Sequence, residues 1–452
     1  MRVIPPRTPP YNSAAIAAAP SRKRRIPPRV TAITIGLLAM LATGVGAQAV
    51  PSTTDSLARQ QDSLALRLRR AEDAIAALQQ QVADQATSGV QSRSRARLEL
   101  HGRVIVNAFS NERRVNNVDD PQFVRPDSAS ALPVGGAGMA IRQTSLGLAV
   151  FVSDVLGGRF TGDLDADFFG GQQPSSGGRT FPLLRLRTAR AMVQWTHADM
   201  LVGQEQPLIA GLNPRSVAAL GTPDFVAAGN LWLWLPQLRA GVHSTGSVRF
   251  GLQGAVLAPT SGDAANAFDT DVDVAERSRR PFLEARGSVA WGEDELAGEI
   301  GCGAHAGWLA LSNTTTVRGE AFACDARIPL GARFELRGEG YAGRGVRGLG
   351  GGAIGQNSGI GLRPPRTRAG WAQASIRVTQ PLLLGVGCGV DDPQDAELAP
   401  GARLLNRACA AHMLLRGAGP LFLGAEVRRL ETTYAAGRFI NHHLNLGVGF
   451  EF

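Results

Sequence analysis

From Leu98 to the last residue the dominant pattern is period two, apolar side chains on one face and polar or small ones on the other. The final segment carries it furthest. Leu444, Leu446, Val448, Phe450 and Phe452 alternate with Asn445, Gly447, Gly449 and Glu451, and the sequence stops on that aromatic. Earlier, Phe160, Gly162, Leu164, Ala166 and Phe168 oppose Thr161, Asp163, Asp165 and Asp167, which puts three carboxylates on one face of one strand. Against hydrocarbon that face would be very costly, so it must look into a watery lumen. Leu98, Leu100, Gly102, Val104 and Val106 oppose Glu99, His101, Arg103, Ile105 and Asn107 in the same way.

About sixteen such segments follow one another. Short turns, such as those at residues 197–199 and 291–295, alternate with long polar connections at 110–139, 259–281 and 344–369. The 355 residues from 98 to 452 allow about 22 per strand with its connection, which suits a barrel of that size. The pattern predicts an all-β membrane protein: an antiparallel transmembrane β-barrel of about sixteen strands, preceded by a short α-helical coiled coil.

Two segments precede the barrel. Residues 1–49 read as a leader: a basic block ending at Arg29, an apolar run from Thr31 too short to span a bilayer, and Ala47-Gln48-Ala49 as a small-x-small cleavage site. In residues 50–97, Leu57, Leu64, Ala71 and Leu78 fall at one heptad position and Gln61, Leu68, Ile75 and Val82 at the other, with a polar linker after residue 83. This suits the seam of an oligomerisation stalk, the alternative being a single amphipathic helix lying on its own protein. Residues 98–452 form the barrel domain. The terminal Phe450 and Phe452 are of the kind that the outer-membrane barrel assembly machinery reads.

Charge adds little until it is placed. The net charge of +9 is concentrated in the leader, and residues 50–452 hold 40 basic against 38 acidic side chains, so nothing points to nucleic acid. The aromatic share is only 6%, with three Tyr, so the interfacial girdles are thin; Trp195, Trp291, Trp308 and Trp371 lie near strand ends and are the candidates.

Catalytic, metal and cofactor chemistry finds no support. Gly343-Arg-Gly-Val-Arg-Gly has the letters of a nucleotide loop but no strand-turn-helix context. Asp269, Asp271 and Asp273 open like a calcium loop, but Val274 and Arg280 stand where Gly and Glu are needed. His442 and His443 are adjacent on a strand and point to opposite faces. No nucleophile and base are paired, so the chain reads as a non-enzyme with no metal and no cofactor. The four Cys share the phase of the lipid-facing residues. Cys302 and Cys324 bracket one hairpin loop and Cys388 and Cys409 another, which suits two cross-strand bridges or four small apolar side chains.

The order of Leu98-Glu-Leu-His-Gly-Arg, Ile141-Arg-Gln-Thr-Ser-Leu-Gly-Leu, Gly162-Asp-Leu-Asp-Ala-Asp-Phe-Phe-Gly-Gly, Leu184-Arg-Leu-Arg, Leu201-Val-Gly-Gln, Pro236-Gln-Leu-Arg, Gly389-Val-Asp-Asp-Pro and Leu430-Glu-Thr-Thr-Tyr resembles the DcaP-like outer-membrane porins. The resemblance spans residues 55–452. It implies a homotrimer of sixteen-stranded barrels in outer-membrane lipid, passing small anionic solutes such as dicarboxylates by diffusion. It also implies that the connection after the fifth strand, here 206–230, folds inward as a constriction. Arg103, Arg185, Arg187, Arg215 and Arg239 are then candidates for a basic ladder, the alternative being that they merely pair with the lumen acids Asp163, Asp165 and Asp167. Leu231-Trp-Leu-Trp-Leu is greasier than the family pattern and would favour amphipathic or aromatic anions. The competing reading is a plugged barrel that anchors or scaffolds the envelope through its coiled coil.

Overall fold

The computed structural model describes residues 96–127, 135–170, 182–216, 219, 221–262, 272–351, 363–417 and 419–452. Every described residue belongs to one compact unit, Ala77–Phe452. The expected leader and the heptad helix lie outside the described residues.

Period-two alternation folds as it must for a sheet with unlike faces. Among the described residues seventeen strands make one antiparallel sheet that closes on itself. The first half comprises β1 (Ala96–Asn111), β2 (Gly136–Ala140), β3 (Ser145–Val155), β4 (Gly158–Asp167), β5 (Arg185–Gln194), β6 (Ala198–Glu205), β7 (Leu235–His243), β8 (Val248–Leu257) and β9 (Phe282–Trp291). The second comprises β10 (Gly298–Ala310), β11 (Thr316–Leu330), β12 (Phe334–Arg344), β13 (Arg366–Arg377), β14 (Leu382–Pro393), β15 (Arg403–Arg416), β16 (Leu421–Tyr434) and β17 (Gly437–Glu451). β3 pairs with the first half of β1 and β2 with the second, so these two are arms of one wall strand and the barrel has sixteen wall positions. At the break between them Arg142 turns into the interior, where Asp119 accepts from it at 2.5 and 2.9 Å.

Closure joins β1 to β17, from Arg103 opposite Glu451 to Asn111 opposite His443. The terminal residue takes part: Phe452 N–H donates to the Gly102 carbonyl at 3.0 Å, and Gly102 N–H donates back at 2.9 Å. Without that seam a row of backbone groups would face hydrocarbon unpaired. Around the wall, Leu100, Leu148, Leu252, Val386 and Leu446 point outward and are exposed, a band suited to lipid chains. No helix among the described residues is long and apolar enough to cross a membrane.

The connections separate by end. At the end holding the terminus they are short, for example 156–157, 195–197 and 331–333. At the other end most are long, the longest being 206–234 between β6 and β7, although 311–315 and 435–436 are short there too. One expectation fails. Trp371 is no interfacial anchor: its inward phase on β13 leaves it 3% exposed, stacked on Phe225 with ring centroids 6.1 Å apart.

Cys302 sits directly opposite Cys324 on β10 and β11, Cys388 directly opposite Cys409 on β14 and β15, and both pairs are disulfides on the outward face. Peptide mapping without reductant should therefore recover 302–324 and 388–409 as linked pairs. Replacing Cys302 and Cys324 together by Ser should lower stability by about 3 kcal/mol, the chain-entropy value for loops of this length. Four free thiols in native, untreated protein would reject the bridges.

Candidate functional site

The long 206–234 connection runs through the barrel interior. After leaving β6 it meets β9, where Leu208 and Ile209 N–H donate to Glu284 at 2.6 and 3.3 Å. It next reaches β13. Arg215 N–H donates to the Gln373 side-chain oxygen and Gln373 returns a bond to the Arg215 carbonyl, both at 2.8 Å. Ser216 donates to Glu426 on β16 at 2.5 Å, whereas the Gly221 carbonyl accepts from Arg185 on β5. Leu231 N–H ends the excursion on Glu339 of β12 at 3.1 Å.

The wall is built to take this segment in. A Cβ on Gly389 would stand 2.1 Å from the Ala228 carbonyl oxygen, so only glycine lets β14 and the segment touch. Gly229, at φ +103°, faces Gly370 so closely that a side chain would strike its backbone at 2.4 Å. Asn406 donates across the same contact to the Ala227 carbonyl at 2.8 Å.

Beside the segment the inward charges are interleaved. Asp167 accepts from Arg185 at 2.7 and 3.1 Å and has Arg187 3.7 Å away. Asp165 meets His101 and Thr188, each at 3.2 Å, and Asp163 accepts from Arg190 at 2.6 Å. Both Arg185 and Arg187 hold their guanidinium carbons over the Trp234 ring, 5.2 and 5.1 Å from its centroid. Arg103 bonds Glu451 at 3.0 Å and lies near enough for its charge to act on Arg187.

The five sequence candidates thus divide. Arg185 and Arg187 gather beside Trp234, while Arg103 bonds Glu451 and lies over the Phe422 ring. Arg239 lies further along the wall, donating to the Gln206 carbonyl and the Gln237 side chain at 3.0 Å each. Arg215 sits apart, 3.0 Å from Glu335, which also binds Arg327 and Arg337.

A second cluster was not foreseen from sequence. Buried Arg428 on β16 meets Asp120 at 2.7 Å, Asp224 at 2.9 Å and Glu426 at 2.5 Å, which ties the 112–135 connection and the 206–234 segment to one wall position. Only the inward phase of Glu426 and Arg428 was visible in advance. Their partners lie far away in sequence. Arg190 was missed for a different reason: a bulge opposite Asp165 and Ala166 shifts the phase of β5 after Arg187. One guanidinium cannot neutralise three carboxylates, and burial opposes each charge. Asp120 is accordingly pushed up to about 7, and Asp224 well above the ordinary carboxylate range.

Other motifs resolve simply. Among the described residues no group of three His, Cys, Asp or Glu is placed to hold a metal. Asp269 and Asp271 lie outside the described residues, while Asp273 accepts from Ser261 and Ala275 within its own loop. His442 is exposed and His443 buried, on opposite faces.

Comparison with solved structures places the fold. The outer membrane channel DcaP of Acinetobacter baumannii is similar over 81% of this chain and 100% of its own, with TM-score 0.62 and 16% identity. OmpF of Salmonella typhi, solved with daunomycin, matches over 80% and 100% with TM-score 0.51 and 9% identity. OprB of Pseudomonas putida matches over 78% and 94% with TM-score 0.50 and 10% identity. No family model and no curated protein matches the chain. The chain has the sixteen-stranded barrel fold of these outer-membrane proteins.

The Arg428 cluster has a measurable consequence. The Asp120 carboxyl keeps its proton in the folded protein up to about pH 7, but the unfolded chain loses it near 3.8. Its contribution is therefore complete below that lower value and is lost as pH rises through the upper one. Thermal unfolding in detergent should show stability falling across this window, and Asp120→Asn should flatten the fall. An identical pH profile in the variant would refute the assignment.

Proposed function

We propose that this chain is a passive diffusion channel of the bacterial outer membrane, a porin of the DcaP-like kind, for small hydrophilic, anionic solutes such as dicarboxylates. The observation that carries the reading is the 206–234 segment lying inside the barrel beside Arg185 and Arg187, which both stand over its Trp234. This segment, with 206–230 at its heart, is the constriction. DcaP, the structure of similar fold, is an outer membrane channel.

The anion preference rests on guanidiniums that face the lumen without a carboxylate of their own. Arg185 and Arg187 share Asp167 beside Trp234, and Asp165, held by His101 and Thr188, also acts on Arg187. Arg103 is balanced by Glu451, and Arg239 donates to uncharged partners. Lumen-facing guanidiniums, Arg239 above all, offer donors to anions in a narrow slot. Trp234 adds an apolar face, which favours anions carrying an aromatic or alkyl portion. The remaining parts belong to the same reading: residues 1–49 are the export leader, 50–97 a periplasmic coiled coil joining three copies with the linker that runs into β1, and Phe450 and Phe452 the signal to the barrel assembly machinery.

A plugged barrel acting as an envelope anchor is the second reading. What favours it is the reach of the segment, which bonds both β5 and the distant β16.

Planar-bilayer recording separates the two. The channel reading expects conductance closing in three equal steps, with an anion-selective reversal potential in asymmetric KCl. Arg185→Gln together with Arg187→Gln should move that potential toward zero while conductance persists. A silent membrane from folded protein would overturn the channel and leave the plugged barrel.

A further inference from the structure

The outer wall is not uniform around its circumference. Along β3 to β8, the outward positions nearest the long connections are Leu146, Ala166, Leu186, Gln204, Pro236 and Val256, none of them charged. On β11 to β14 the same level carries Arg318, Glu320, Arg344, Arg366, Arg368 and Asp392. Four guanidiniums face outward within four adjacent strands.

The pairing among them is incomplete. Arg318 lies 3.5 Å from Glu320, and Glu397, on the connection after β14, takes Arg366 at 2.6 Å. Arg344 is directly opposite Arg366 across β12 and β13, a like-charge pair that a sheet ordinarily avoids. Arg368 is opposite Asp392 in register. Among the described residues neither Arg344 nor Arg368 makes a hydrogen bond or an ion pair. The floor between the strands is small, Ala342 lying opposite both Phe322 and Arg368. The result is an open cavity of about 1010 Å³ lined by these charges, by the Asp395 carboxylate and by the exposed ring of Phe322, in which, among the described residues, Arg344 and Arg368 are the guanidiniums without an ion pair.

We infer that this cavity binds the phosphate groups of a phosphorylated glycolipid in the outer leaflet. The assignment rests on the outer-membrane reading above, which puts the long connections outside the cell. Unpaired guanidiniums in a row supply the bidentate donors that phosphate oxygens accept. Phe322, one row nearer the mid-wall than Glu320, offers an apolar surface where acyl chains begin. Charge above and a ring below match an amphiphile better than a free ion.

Native mass spectrometry of the full chain in detergent tests this, with lipid A as the probe. Its phosphate-free form and inorganic phosphate are the comparison arms. Wild-type protein should retain lipid A with a preference of about tenfold or more over the phosphate-free lipid, and inorganic phosphate in large excess should leave the adduct in place. Replacing Arg344, Arg366 and Arg368 together by Ala should abolish the preference, and Arg368→Gln alone should weaken it. The single exposed substitution and the lipid comparison keep the test decisive even if the triple variant misfolds. Equal retention of both lipids, or retention unchanged in Arg368→Gln, would overturn the site. Complete displacement by inorganic phosphate would assign the patch to a free anion and overturn the lipid. Failure of the channel reading shows separately, as absent conductance, because adduct retention needs no current.

Discussion

A sheet surrounded by hydrocarbon cannot leave an edge unpaired, and the molecule is organised around that constraint. The seam between β1 and β17 removes the last edge, and the terminal Phe452 extends it by two further backbone bonds with Gly102. Closure fixes which face of every strand looks inward. Once β1 places Arg103 inside, opposite Glu451, the pleat sends Val104 outward, and hydrogen-bonded register carries the choice around the wall.

Closure also creates the interior problem. A wall of sixteen positions encloses more space than its own side chains fill, and the 206–234 segment enters that space. Its backbone groups must then find partners away from bulk water. They find wall side chains: Glu284, Gln373 and Glu339 each accept a main-chain N–H, and Gln373 donates to a carbonyl as well. Inward polar residues thus do two kinds of work. On β9, β12, β13 and β16 they hold the segment, while on β4 and β5 they pair largely among themselves beside it, Arg185 also reaching the Gly221 carbonyl.

This division explains what the sequence made legible. Alternation depends on nearest neighbours, so the strands, the inward acids of β4 and the outward phase of the four Cys could all be read directly. The interruption at Arg142 and Gln143 could not, because neither residue breaks the apolar count; it becomes visible only when β2 and β3 both pair with β1. Trp371 was misplaced because a ring near a strand end suits an interface as well as an interior, and its partner Phe225 lies 146 positions earlier in the chain. The Arg428 cluster depends on partners 308 and 204 residues away, Asp120 and Asp224, and no local pattern encodes such a meeting. The basic ladder was legible as residue types and phase. Its division into a group beside Trp234 and a separate Arg215 was not.

The two disulfides fit the same logic. Strands in a sheet are held by cross-strand side-chain pairs as well as by backbone bonds. Where the inner segment presses on the wall, the inward members of those pairs are reduced: Gly303 faces Ala323 on one hairpin, and Gly387 and Gly389 face Ala410 and Ala408 on the other. Such pairs contribute little contact between strands. In both hairpins the adjacent outward pair is a disulfide, 302–324 and 388–409. The covalent links stand on the lipid side of the wall where the interior side was thinned to admit the segment. A bridge there restores cross-strand attachment without taking space from the lumen, which no larger inward side chain could do. The four Cys therefore stand on the outer side of the stretches of wall where Gly303 meets Ile209 and Gly389 meets Ala228 of the segment.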